Sequence, residues 1–178
     1  MDVVKELKKL LLHKPRRTLA VAESITCGHL QARIGAIPGA SEFFLGGITA
    51  YTLDEKVKHL GVKRAAAKAA NSVSAEVAEQ MARGAGALFG SDLALATTGY
   101  AEPFDSAQGG GSAKRNIIAP FAWWALAHRQ GGRSGRGKKF IVRSGRIDGP
   151  GLARVAMQEL VAERALAELV EYLRAWRA

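Results

Sequence analysis

Apolar residues recur at helical spacing through residues 3–12, with Val3, Leu7, Leu10 and Leu11 on one face. They predict an amphipathic opening helix that ends at two arginines and Pro15. A short, largely apolar run at 18–22 has the pattern of a buried central strand. Thr26 then supplies a helix N-cap, and Leu30, Ile34 and Ile37 line one face of the helix that runs to Pro38-Gly39. Residues 43–51 are a second strand candidate, and its Gly46-Gly47 pair allows backbone or ligand to approach closely. A short helix at 54–60 ends at Gly61, and residues 65–70 are helix-prone. Ser74 caps a longer helix to Leu88, with Glu76 and Glu79 favouring its positive end and Gly90 closing it.

A third buried strand covers 93–97, followed by a polar loop at 99–115 that contains Gly109-Gly110-Gly111. Loops of that length in a small domain are usually functional or mobile. Two further strands, 117–127 and 139–143, flank a basic loop, and Pro150 opens a final helix with Leu166, Leu169, Val170, Leu173 and Trp176 on one face. Strands and helices alternate and then end in a hairpin and a helix. The pattern predicts an α/β fold, a three-layer α/β/α sandwich with a mixed sheet, as a single domain over residues 1–178.

The chain's 178 residues suffice to bury a core, and 48% hydrophobic with 24% charged residues is ordinary for a globular protein. No apolar run approaches the ~20 residues that span a bilayer. The first six residues mix acidic, basic and apolar side chains, unlike a signal peptide, so a cytoplasmic location is expected. Cys27 is the one cysteine, which rules out an intramolecular disulfide and a multi-cysteine metal site. His13, His29, His59 and His128 form no paired ligand motif, and neither a metal nor a cofactor is expected. The net charge of +10 could draw nucleic acid, anionic lipid or a phosphorylated metabolite. Its densest cluster, at 129–139, reads as a solvated hairpin loop first and a nucleic-acid contact second.

The junction Ala22-Glu23-Ser24-Ile25-Thr26-Cys27-Gly28 lies where a buried strand passes into a helix. Such a turn aims unpaired backbone N–H groups at the space above the sheet edge, which suits an anion or a developing oxyanion. Serine, threonine and glycine in this position more often cap a helix than catalyse. Residues 18–28, however, resemble the signature T-x-x-x-A-E-S-C-T-G-G of the CinA C-terminal-domain family, the nicotinamide-nucleotide amidases. The likeness continues through Pro38-Gly39-Ala40-Ser41, Gly46-Gly47, Ala50-Tyr51, Lys56, Leu60-Gly61-Val62, residues 73–78 and residues 92–103, and is faint beyond Pro103.

The resemblance implies hydrolysis of the carboxamide of nicotinamide mononucleotide, or of a related compound, to the acid and ammonia. It makes Ser24 the nucleophile and Lys56 the base, with Tyr51 orienting the lysine or relaying a proton. A hydroxyl needs such a base, and a lysine serves only if its pKa falls from ~10.4 toward neutrality. Thr26 and the N–H groups around Gly28 would hold the oxyanion or a substrate oxygen, Thr98 would touch substrate, and Arg146 would meet the phosphate. The partner implied is a small-molecule nucleotide. The family's common N-terminal companion domain is not expected here, so the chain would act alone or as a homo-oligomer.

Three departures from the family pattern alter the walls of this centre. The family's cysteine is Ile25 and one of its glycines is Cys27, whose thiol is expected to narrow the pocket. Ala101-Glu102-Pro103-Phe104-Asp105 stands in place of the family's A-G-P-x-G-G and puts an acid and a bulky ring in the loop, and a carboxylate at Glu102 would repel a phosphate. The segment 116–124 loses the family's sequence, with Trp123 and Trp124 on opposite faces of a strand. A changed substrate preference is therefore expected. The alternative is a catalytically degenerate relative that binds a nucleotide or protein partner, with a nucleic-acid binder ranked last.

Overall fold

The computed structural model describes residues 3–103, 119–131 and 139–177. In chain order it runs α1 (Val3–Leu12), β1 (Leu19–Glu23), α2 (His29–Gly35), β2 (Phe44–Thr49), α3 (Leu53–Leu60), α4 (Arg64–Ala69) and α5 (Ala75–Phe89). Strands β3 (Leu93–Tyr100), β4 (Phe121–Arg129) and β5 (Phe140–Asp148) follow, and α6 (Arg154–Arg177) ends the chain. The sheet order is β2-β1-β3-β4-β5. The first three strands are parallel and the last two antiparallel. Helical crossovers join the parallel strands and leave helices on both faces, which is the mixed three-layer sandwich expected from the alternation.

The period of two along each strand divides the core. Leu19, Val21, Leu93, Leu95, Trp124 and Leu126 face α1, α2 and α6, where they pack with Leu7, Leu30, Ile34, Leu166 and Leu169. On the other face stand Ala22, Ala94, Ala96, Ala125 and Ala127, against Ala78, Ala82 and Ala85 of α5. Small side chains on both partners seat α5 close to the sheet. Tightness extends to α3: a Cβ added at Gly84 would lie 2.1 Å from the Leu60 carbonyl oxygen. This contact fixes the helix that carries Lys56.

Several boundaries differ from the sequence expectation. Strand β5 continues five residues beyond Arg143 and pairs with β4 along its whole length, despite a turn-like Ser144-Gly145-Arg146. Gly145 is there for space, since a Cβ would meet the Trp124 indole at 2.7 Å. Pro150 sits in the turn before α6 and does not open it. Strand β3 extends to Tyr100, so Thr98 lies within it, whereas β2 stops at Thr49 and leaves Tyr51 in the following loop. Helix α2 begins at His29 behind Gly28, whose φ is 103°, and Thr26 is not its cap. Residues 104–118, with most of the glycine-rich loop and Phe104, and 132–138 of the basic loop lie outside the described residues. No helix among the described residues is long and apolar enough to cross a membrane.

Candidate active site

Strand β1 ends in a buried acid, Glu23, and the turn after it presents Ser24. The Ser24 N–H donates to the Thr97 carbonyl at 3.0 Å, extending the sheet by one residue. Glu23, fully buried, folds back over the turn and caps α2. Its Oε2 accepts from the N–H groups of Gly28 at 2.9 Å and Leu30 at 3.1 Å, and its Oε1 from Gln31 at 3.0 Å. A carboxylate at a helix N-terminus neutralises orphan donors and the positive end of the dipole together. The expectation that this terminus holds a substrate oxygen is corrected, because the chain's own side chain fills it. Thr26 is also turned away: its buried hydroxyl shares a 2.8 Å hydrogen bond with the Thr97 hydroxyl.

Above the carboxyl ends of β1 and β3 lies a cavity of about 200 Å³. Ser24, Ile25, Tyr51, Lys56, Ser72, Tyr100, Glu102 and Arg154 are on its wall. Lys56 comes from the inward face of α3, one turn before Leu60, and is 2% exposed. Its Nζ donates to Thr98 Oγ1 at 3.1 Å and to the Ser72 carbonyl at 3.3 Å. The Thr98 hydroxyl also donates to that carbonyl, at 2.9 Å. Among the described residues Lys56 makes no ion pair, and burial pushes its amine down to about 8. Asn71 and Ser72, at φ 50° and 62°, form a left-handed turn that brings the Ser72 carbonyl to the amine. Left-handed non-glycine residues cost about 1–2 kcal/mol each, so this turn is held by its surroundings. One such support is the 2.9 Å bond from Asn71 Nδ2 to the Tyr100 hydroxyl.

The remaining expected site residues are distributed unevenly. Tyr51 is on the cavity wall but 54% exposed, and its side chain lies beside Arg154 of α6 where an interaction with Lys56 was expected. Arg154 also pairs with Glu102. Arg146 is outside the cavity: its guanidinium pairs with Asp148 at 2.8 Å, lies 4.1 Å over the Phe121 ring, and borders a separate cleft with Trp124. The antiparallel pairing of β4 and β5 carries it there, so it is not positioned to meet a phosphate in this cavity. Cys27 is exposed and off the cavity wall, so its thiol does not narrow the pocket. At φ 44° it occupies a left-handed position suited to glycine. Cys27→Gly is expected to stabilise the fold by about 0.5–1 kcal/mol, read as a raised urea midpoint. A lower midpoint would mean that the thiol's packing outweighs the backbone strain.

Three distant sequence blocks meet here through polar pairs. Thr18 donates its N–H and its hydroxyl to Asp92 Oδ2, each at 2.8 Å, Thr26 meets Thr97, and Lys56 meets Thr98. Thus β3 holds the serine turn with one threonine and the lysine with the next. Glu23, Ser72 and Arg154 were not flagged by the sequence. An acid ending an apolar run was the one available signal, for Glu23.

Comparison with known proteins identifies the family of the chain. The model of the CinA C-terminal domain matches residues 2–113. A CinA-like protein of Geobacter metallireducens is 44% identical over 130 residues, 73% of this chain and 30% of that protein. The chain therefore spans less than a third of that relative's length. Among solved structures, a competence-damaged protein (CinA) superfamily protein from Klebsiella pneumoniae 700603 superposes with a TM-score of 0.79 at 24% identity, covering 98% of both chains. The competence damage-inducible protein A from Klebsiella pneumoniae subsp. pneumoniae MGH 78578 gives 0.79 at 25% identity, covering 98% of this chain and 97% of that one. With a matched model over more than half its residues, the chain belongs to the CinA C-terminal domain family.

Proposed function

We propose that the protein is an amidohydrolase in which Ser24 attacks a carboxamide carbonyl and Lys56 takes the serine proton, the substrate being nicotinamide mononucleotide or a related carboxamide. The observation that carries the reading is a buried amine with lowered proton affinity in the same cavity as a serine at a strand–helix turn. A neutral amine has two N–H groups, and two acceptors are in place for them, Thr98 Oγ1 and the Ser72 carbonyl. Its lone pair is then free for the serine proton. The N–H groups of Ile25 and Thr26 follow Ser24 directly and hydrogen-bond to no described residue. They are the donors assigned to the oxyanion, in place of Gly28.

Attack forms the Ser24 Oγ–carbon bond, and the tetrahedral intermediate expels ammonia, which receives the proton held by Lys56. Water then attacks the ester, giving up a proton to Lys56, and the acid departs as Ser24 regains its hydrogen. The test is ammonia release from nicotinamide mononucleotide. Wild-type protein should release it, and Ser24→Ala should lower the rate on the order of 10³-fold or more. Binding of the mononucleotide without any ammonia would instead assign a non-catalytic binding role.

A further inference from the structure

The cavity's outer wall carries a feature that the proposed chemistry leaves unused. Glu102, just after β3, pairs with Arg154 at the start of α6, and the Tyr51 side chain lies beside the same guanidinium. All three line the cavity that holds Ser24 and Lys56. Arg154 and Lys56 are the two cationic side chains among the described lining residues. Lys56 lies at the base of the cavity, bonded to Thr98 and Ser72, and Arg154 is already compensated by a carboxylate. Arg146, the other candidate for an anion, is outside the cavity and bound to Asp148. The wall thus offers a substrate's far end a charge-balanced carboxylate–guanidinium pair and the Tyr51 phenol, the one unpaired cationic side chain among the described lining residues being the buried Lys56.

We propose that Glu102, by occupying Arg154 at the cavity wall, makes this site select carboxamides whose distal end is uncharged and hydroxyl-bearing over those ending in a phosphomonoester. The inference rests on the amidohydrolase reading for the placement of the carboxamide at Ser24. A phosphomonoester dianion reaching Arg154 must compete with Glu102 for the guanidinium and lie beside its negative charge. Hydroxyl groups meet no such conflict, since the carboxylate accepts from them while it remains paired with the guanidinium. A cationic ring between the two ends is favoured by the same carboxylate.

The experiment compares nicotinamide mononucleotide with its dephosphorylated nucleoside, by kcat/KM for ammonia release and by calorimetric affinity for Ser24→Ala protein. Wild-type protein should favour the nucleoside about tenfold or more. Glu102→Gln keeps the shape, removes the charge and frees Arg154, so the ratio should move toward the phosphorylated compound by about tenfold. Adding Arg154→Gln to Glu102→Gln should cancel that shift, because the shift requires a free guanidinium. Equal preference, preference for the phosphorylated compound, or a ratio unmoved by Glu102→Gln overturns the inference. Affinity keeps the two ideas separable: a protein that binds the nucleoside more tightly but cleaves neither compound sinks the hydrolase reading and leaves the selectivity standing. A protein that binds neither sinks the selectivity.

Discussion

Lys56→Met is expected to abolish ammonia release while making the folded protein about 2–3 kcal/mol more stable at pH 7. Activity falls because the proposed mechanism assigns the Ser24 proton to Lys56, and the loss should be on the order of 10³-fold or more. The stability gain follows from the lysine's burial. An amine at 2% exposure with no ion pair among the described residues loses hydration that its two neutral acceptors only partly replace. The fall from 10.5 to about 8 corresponds to about 3 kcal/mol at ~1.36 kcal/mol per pH unit. Methionine keeps the length of the side chain without its charge. The Ser72 carbonyl retains a donor in the variant, the Thr98 hydroxyl at 2.9 Å.

The sign of the pH dependence is fixed by the same numbers. Below about pH 8 the amine is protonated in both folded and unfolded chains, and the folded protein bears the full penalty. Between about 8 and 10.5 the unfolded chain still holds a proton that the folded one has released, so wild-type stability rises with pH. The advantage of Lys56→Met should therefore be greatest below about pH 8 and close by about 10.5. Urea denaturation of both proteins at pH 7 and pH 10 measures it. A variant less stable than wild type at both pH values would mean that the lysine's packing and hydrogen bonds outweigh its desolvation.

Glu23→Ala should be among the most damaging single substitutions in the chain, at a cost of about 3–5 kcal/mol. The wild-type carboxylate is fully buried and takes three backbone N–H groups, two on one oxygen and one on the other. Removing it leaves those donors without their acceptor at the positive end of α2. Glu23→Gln should be intermediate, because an amide has one acceptor oxygen and presents an NH₂ where the second carboxylate oxygen stood. Since the same turn holds Ser24, both variants should lose activity at temperatures where they remain folded. A cost below about 1 kcal/mol for Glu23→Ala would show that water replaces the carboxylate and that the turn does not depend on it.

The parts of the fold that were legible in the sequence are those where burial is symmetrical. Strands β1 and β3 are buried on both faces through most of their length and read as apolar runs. The amphipathic α1 and the Ser74 cap of α5 were also visible from spacing and residue type. Strand β5 was cut short because an edge strand alternates exposed polar positions, and Gly145 resembles a turn until Trp124 is seen lying over it. The start of α2 is not legible locally, because the acid that accepts from its first N–H groups lies five to eight residues upstream of them, beyond the reach of a local capping pattern. Ser24 and Lys56 were named by resemblance to a family signature; their spacing of 32 residues says nothing of proximity. Arg154 could not be found that way, since its pairing with Glu102 spans 52 residues and depends on how α6 returns across the sheet.

The proposed chemistry requires Lys56 to lose its proton near neutral pH within the folded protein. The direct measurement is an NMR titration of the lysine side chains labelled at Cε, with Lys56→Met protein identifying the Lys56 signal. One resonance, absent from the variant, should titrate near pH 8. If the Lys56 signal instead titrates near the ~10.4 of a lysine in a model peptide, the amine is an ordinary cation at neutral pH and cannot be the base that activates Ser24.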